Sequence, residues 1–224
     1  MSAVAAVNGF PWPVVLFDLD GTLVDSASDI AASVNRLLVE LGHTAVDEAT
    51  VRGWIGDGAG QLVGQALRHA GDTRDVESVM PRFLRHYEDC LLLDPRLYPG
   101  VEATLQALQA AGVRMAVCTN KPTPFVAPLL EAMGIAPYFE HVLGAGELPQ
   151  RKPDPAPLRH LAAQFGVPVE QCLMVGDSST DAEAAIAAGA PLVLVSYGYR
   201  RAFDLHGCGA HAVIDRFEQL LAVR

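Results

Sequence analysis

The sequence predicts an α/β fold: a parallel sheet with helices on both faces, interrupted by an all-helical insert. Three observations carry that reading. Short apolar runs without polar alternation recur along the chain, helical patterns ending at glycine separate most of them, and the stretch from about Ser26 to about Pro95 has helical apolar spacing and no convincing strand. A strand covered on both faces has no polar side to display, and strands spaced by helices pair in parallel.

The first strand is Pro13-Val-Val-Leu-Phe17, rich in β-branched and aromatic residues, which meets the polar turn Asp18-Leu-Asp20-Gly21-Thr22. The helical insert follows, with apolar positions at Ile30, Val34, Leu37, Leu38 and Leu41, then at Leu62, Val63, Ala66 and Leu67. Further strands are expected at Val113-Arg-Met-Ala-Val-Cys-Thr119, Val142-Leu143, Gln171-Cys-Leu-Met-Val175 and Pro191-Leu-Val-Leu-Val195. Helices are expected from Val101 to Ala111, Thr123 to Met133, Pro155 to Phe165 and Asp181 to Ala188, closing at Gly112, Gly134, Gly166 and Gly189. The predicted organisation is therefore a discontinuous core, residues 13–26 and 96–224, with residues 27–95 as a helical cap domain over the carboxyl ends of the strands. The dozen residues before the first strand read as a tail.

Composition bounds the function. The 224 residues hold 16 Lys and Arg against 26 Asp and Glu, a formal charge of −10, with 50% hydrophobic residues. A chain this apolar builds a real core, and no basic run exists to displace counterions from nucleic acid. Cys90, Cys118, Cys172 and Cys208 lack any CxxC or zinc-ligand spacing and read as reduced thiols. No secretory signal and no run long enough for a membrane span is seen, so a cytoplasmic protein, monomer or homodimer, is expected.

In an open parallel sheet, ligands bind beyond the carboxyl ends of the strands. Those ends carry Asp18-x-Asp20, Thr119-Asn120-Lys121 and Gly176-Asp177-Ser-Ser-Thr-Asp181, while Lys152-Pro153-Asp154-Pro155 precedes a helix. Converging carboxylates repel one another unless a cation neutralises them, and hard oxygen donors favour magnesium. Thr119 and Lys152 suit phosphate oxygens, so the sum is a phosphoryl site. A blander reading gives the aspartates turn and helix-capping roles, most plausibly Asp181, which starts an alanine-rich helix. The glycine-rich Gly56-Asp57-Gly58-Ala59-Gly60 lacks the Gly-Lys-Ser/Thr of a nucleotide loop and follows no strand.

Asp18-Leu-Asp-Gly-Thr-Leu-Val-Asp-Ser26, Thr119-Asn-Lys121, Lys152-Pro153 and Gly176-Asp-Ser-Ser-Thr-Asp181 resemble, in order, the four motifs of the haloacid dehalogenase superfamily. The resemblance implies a Rossmann-like core with a cap. It makes Asp18 a nucleophile that forms an aspartyl-phosphate and Asp20 the general acid and base. It implies Mg2+ held by the carboxylates of Asp18 and Asp177 and the main-chain carbonyl of Asp20, with Asp181 in the outer shell. Thr119, Asn120 and Lys152 become substrate-binding residues. An acid at position 20 points to phosphate esters, because a departing halide needs no proton. Arg52, Gly56 and Gly58 of the cap turn are candidates for substrate selection, and Tyr197-Gly-Tyr199 is expected to be structural at the site mouth.

Within the superfamily the chain is most similar to bacterial phosphoglycolate phosphatases, through Trp54-Ile-Gly-Asp-Gly58, Thr119-Asn-Lys-Pro122, Arg151-Lys-Pro-Asp-Pro155 and Val195-Ser-Tyr-Gly-Tyr199. That implies a small soluble phosphate ester, 2-phosphoglycolate, as substrate. The alternatives are a sugar-phosphate or pyrophosphate hydrolase, a β-phosphoglucomutase-like phosphomutase and, remotely, a non-enzymatic binding protein on the same fold.

Overall fold

The structure is a computed structural model that describes residues 9–199 and 203–224. The chain begins with β1 (Val14–Phe17) and β2 (Val24–Asp25), then enters four helices, α1 (Ala27–Glu40), α2 (Glu48–Arg52), α3 (Ala59–His69) and α4 (Val76–Cys90). It returns through β3 (Arg96–Leu97), then alternates α5 (Val101–Ala110), β4 (Arg114–Pro122), α6 (Val126–Ala132), β5 (His141–Ala145), α7 (Ala156–Phe165), β6 (Cys172–Gly176), α8 (Ser179–Ala188), β7 (Leu192–Val195) and β8 (Ala212–Ile214).

Six strands form one parallel sheet in the order β5-β4-β1-β6-β7-β8. Every residue of β1 is buried. Its side chains alternate between two cores: Val15 and Phe17 join Leu105, Val117 and Phe217 on one face, and Val14 and Leu16 join Leu158, Leu161 and Ala182 on the other. Burial on both faces explains the unbroken apolar run. The chain passes from β1 outward through β4 to β5, then crosses back to place β6 on the other side of β1. Such a reversal opens a crevice at the carboxyl end of the central strand, where the helices on either side diverge.

The helical insert has a hydrophobic cluster of its own. Ile30, Val34, Leu37, Leu38 and Leu41 of the predicted apolar stripe are buried with Val63, Leu67 and Phe83, and Phe125 and Tyr199 from the sheet side pack onto them. The two ends of the insert run antiparallel, Val24 opposite Leu97 and Asp25 opposite Arg96.

The sheet differs from the five-strand expectation in three places. β8 is an additional edge strand of three residues, only Ile214 of which is buried, too short and too exposed for an apolar run to betray it. β4 continues beyond Thr119 to Pro122, with a break of register after Cys118. β5 spans five residues rather than two. The segment before β1 is also not wholly a tail: Trp12 is buried, with its ring edge-on to Phe10 at 5.3 Å and to His211 at 6.0 Å, while residues 1–8 lie outside the described residues. All four cysteines are free. No helix among the described residues is long and apolar enough to cross a membrane.

Packing of Trp12 predicts that Trp12→Ala destabilises the protein by about 3 kcal/mol, the range for removing a large buried aromatic. Urea unfolding reads this as a lower midpoint at unchanged slope, whereas an unmoved midpoint means that the segment contributes nothing to the core.

Candidate active site

Asp18 directly follows β1, and its N–H still donates to the Val175 carbonyl at 2.9 Å, so the sheet ladder fixes the backbone under its carboxylate. The chain then turns sharply, with the N–H groups of Leu23 and Val24 both reaching back to the Leu19 carbonyl. Gly21 makes the turn at φ 92°, and a Cβ there would lie 2.5 Å from Asp177 Oδ2. The position thus requires glycine both for its left-handed backbone and for the approach of a carboxylate. Next to β1 in the sheet, β6 delivers Asp177 at its end, and the first turn of α8 delivers Asp181.

Asp18, Asp177 and Asp181 are buried, and each offers an oxygen within 4.8 Å of the others. Asp18 and Asp177 therefore lie close enough to share one ion. Lys152 lies against the cluster, donating to Asp18 Oδ1 at 2.8 Å and Asp181 Oδ1 at 2.6 Å. Asp181 Oδ2 accepts from the N–H groups of Asp177 and Ser178 and from Ser178 Oγ, so both of its oxygens are committed to protein donors. Asp177 accepts from Thr22 Oγ1 at 3.0 Å and from the Tyr199 N–H at 2.6 Å. Asp18 Oδ2 has no donor among the described residues.

One ammonium among three buried carboxylates leaves an excess of negative charge in a dry crevice. Burial pushes Asp18 up to about 6 against the pull of Lys152. It pushes Asp177 well above the usual carboxylate range, with Asp181 and Asp18 adding to the effect. Lys152 is held above its ordinary value because Asp18 and Asp181 outweigh the opposing cost of burial. An all-oxygen set with surplus negative charge and an uncommitted carboxylate oxygen fits a hard divalent cation.

The register break after Cys118 lets Thr119, Asn120 and Lys121 all face one cavity together with Asp18 and Asp20. Such irregularities re-aim side chains that a regular strand would send to alternate faces. Thr119 is buried and its Oγ1 accepts the Lys121 N–H at 3.1 Å, which leaves its hydroxyl proton for another acceptor. The Asn120 amide acts as a clamp, donating to the carbonyls of Lys152 at 2.9 Å and Gly56 at 3.2 Å. It ties the Gly56 turn of the helical insert to the loop of Lys152, and its buried Oδ1 has no partner among the described residues. Of the cap-turn candidates, Gly56 and Gly58 line the cavity and Arg52 does not. Arg52 instead reaches Asp25 at 3.2 Å and Glu48 at 3.0 Å and lies 5.0 Å from the Tyr199 ring centre.

Several residues around the site escape the sequence reading. Asp20 accepts from Ser26 Oγ at 2.6 Å and from the buried Lys121 Nζ at 3.0 and 3.2 Å. Lys121 Nζ also donates to the hydroxyl of Tyr87 on α4. Tyr199 is a scaffold under the turn rather than a feature of its mouth: its hydroxyl donates to Asp25 and accepts the Ser26 N–H, both at 2.8 Å. Lys121 and Ser26 stand inside the quoted motifs and were legible as candidates. Tyr87 carries no local signal, since its neighbours read only as an amphipathic helix.

A family model for hydrolases, described as haloacid dehalogenase-like hydrolase, matches residues 12–189. The chain belongs to the haloacid dehalogenase-like hydrolase family. A relative from Colwellia psychrerythraea named phosphoglycolate phosphatase is 42% identical over 214 residues, covering 93% of this chain and 95% of that protein. Another of that name, from Rhodospirillum rubrum, is 46% identical over 213 residues, covering 92% of this chain and 88% of its own. The crystal structure of a predicted phosphoglycolate phosphatase from Haemophilus somnus matches with a TM-score of 0.88 at 38% identity, over 94% of this chain and 97% of that one. Family membership accounts for the strand order and for motifs lying hundreds of atoms apart in the chain yet meeting at one crevice.

The charge excess predicts that a hard divalent cation stabilises the folded protein. At a concentration about 100 times its dissociation constant the gain is about 2.7 kcal/mol, or roughly 5 to 10 °C in melting temperature for a chain of this size. Calorimetry with and without chelator reads the shift, which Asp177→Asn should largely abolish; an unmoved wild-type transition contradicts a cation site here.

Proposed function

We propose that this family member is a magnesium-dependent phosphomonoester hydrolase that converts 2-phosphoglycolate and water to glycolate and phosphate. The observation that carries the reading is the pair of carboxylates on one turn, each with its own lysine: Asp18 against Lys152 at 2.8 Å and Asp20 against Lys121 at 3.0 Å. Two carboxylates in separate environments suit two different tasks, a nucleophile and a proton carrier. The names of the relatives support the substrate.

In this reading an Asp18 oxygen attacks phosphorus, the bond from phosphorus to the ester oxygen breaks, and Asp20 gives its proton to the departing glycolate oxygen. Asp20 then takes a proton from water as the water oxygen attacks the aspartyl-phosphate, releasing inorganic phosphate and restoring Asp18. Lys152 holds Asp18 in line and neutralises charge on the transferring group, and the Thr119 hydroxyl donates to a phosphoryl oxygen. Asp18 and Asp177, with the main-chain carbonyl of Asp20, would hold magnesium, which supplies positive charge to the phosphoryl oxygens when bound. Asp181 orients Lys152, and Asn120 shapes the loop beside the substrate.

We assign residues 27–95 the role of a cap domain over a core of residues 13–26 and 96–224. The apolar wall that Ile30, Leu62 and Phe83 contribute to the cavity supports this, because it keeps bulk water from the first step and leaves room only for a compact substrate.

Phosphate release from 2-phosphoglycolate, compared with a panel of sugar phosphates in the presence of magnesium, tests the reading. Preferred turnover of 2-phosphoglycolate, lost in Asp18→Asn, is the expected result; a sugar phosphate turned over faster transfers the assignment to that substrate. Lys152→Ala should lower kcat by about 10²- to 10³-fold, the usual effect of removing a group that stabilises transition-state charge. Near-normal kcat in that variant overturns its role.

A further inference from the structure

The cavity runs from the carboxylate turn to a wall of Ile30, Ile55, Leu62 and Phe83. Lys121 is the one cation among the described residues that line it. Its side chain is buried, and burial, which by itself would favour the neutral amine, is overcome by Asp20 and Tyr87, so the ammonium form persists.

Orientation of Asp20 alone does not account for this lysine, because Ser26 Oγ already fixes Asp20 Oδ1 at 2.6 Å. An ammonium has three N–H donors, and Lys121 spends them on two groups, the Asp20 carboxylate and the Tyr87 hydroxyl. The Tyr87 hydroxyl, receiving from Lys121, has its own proton left to give and no acceptor for it among the described residues. Burial holds that phenol protonated. An unspent hydroxyl donor and an ammonium charge therefore stand side by side on a cavity whose far wall is apolar, immediately beyond the carboxylate that serves the leaving oxygen.

We propose that Lys121 and Tyr87 bind the carboxylate of the substrate's leaving group and set a preference for phosphate esters of 2-hydroxy acids. The inference rests on the phosphatase reading above and names how that site selects its substrate. In such an ester the carboxylate carbon is two bonds from the oxygen that Asp20 protonates. That spacing brings the carboxylate toward the Tyr87 hydroxyl and the Lys121 ammonium beside Asp20. A neutral alcohol in the same place offers the hydroxyl one uncharged oxygen and brings no charge to meet the ammonium, so the site favours the carboxylate.

The test compares kcat/KM for 2-phosphoglycolate with that for 2-hydroxyethyl phosphate, which has the same chain length and a neutral end. Because Lys121 also contacts Asp20, Lys121→Met is expected to slow both reactions; the informative quantity is the ratio, which should fall at least tenfold, chiefly through KM for the acid. Tyr87→Phe, a change that keeps the ring, should lower the ratio by about threefold to tenfold, the scale of one lost hydrogen bond. A ratio unchanged in both variants overturns the inference and leaves Lys121 as a positioning residue for Asp20. A wild-type enzyme that hydrolyses both esters without preference overturns the inference while the phosphatase reading stands. Release of phosphate from neither overturns both.

Discussion

Everything around the crevice answers one electrostatic problem: carboxylates are held in contact where water is scarce. Asp18, Asp177 and Asp181 stand side by side in a low-dielectric site where Lys152 is the one cation paired with them among the described residues, so their mutual repulsion is poorly offset. The fold nevertheless forces them together. Asp18 is locked to Val175 by the sheet ladder, Asp177 is gripped by Thr22 and the Tyr199 N–H, and Asp181 closes back on the start of its own helix. Such rigidity, maintained against repulsion, is what preorganises a site for a cation and a phosphoryl group, because neither the ligands nor the lysine must reorganise when they bind.

The turn after β1 divides two chemically equivalent side chains into different environments. Asp18 faces the acidic cluster and shares its lysine with Asp181, whereas Asp20 faces Ser26 and a lysine that belongs to the cavity. Gly21 makes this possible. With a side chain at that position the turn would press on Asp177, and the distance between the two carboxylate environments would change together with the cation site. The backbone of one tight turn thus controls both carboxylate environments at once.

The parts of this arrangement that were legible in the sequence are those whose signal is local. An apolar run followed by Asp18-x-Asp20-Gly21 declares a buried strand and a polar turn at its end, and Asp177 and Asp181 repeat the pattern after β6. The parallel sheet followed from the same runs. Contacts between distant segments were not legible: Lys121 meets Asp20 across 101 positions, and Tyr199 meets Asp25 across 174. Nothing near Tyr87 distinguishes a site tyrosine from a core tyrosine. The edge strand β8 and the packed Trp12 were missed for another reason, since each depends on a neighbouring surface rather than on a run of its own. Arg52, a candidate for substrate selection, lies instead over Tyr199 and beside Asp25, a placement that only the folded turn defines.

The helical insert contributes differently to stability and to access. Its apolar cluster holds the four helices to one another, and the side chains that reach it from the sheet side are few, Phe125 and Tyr199. The polar ties differ in strength: the buried Lys121 ammonium donates to Tyr87 on α4, whereas two at the rim are weaker. Arg52 and Asp25 are both partly exposed, and such pairs are worth at most about 1 kcal/mol. The amide link from Asn120 to the Gly56 carbonyl adds a single neutral hydrogen bond. The antiparallel pairing of β2 with β3 keeps the two ends of the insert side by side. The insert supplies the apolar wall of the cavity through Ile30, Leu62 and Phe83, so its fold and the carboxylate turn define one enclosure.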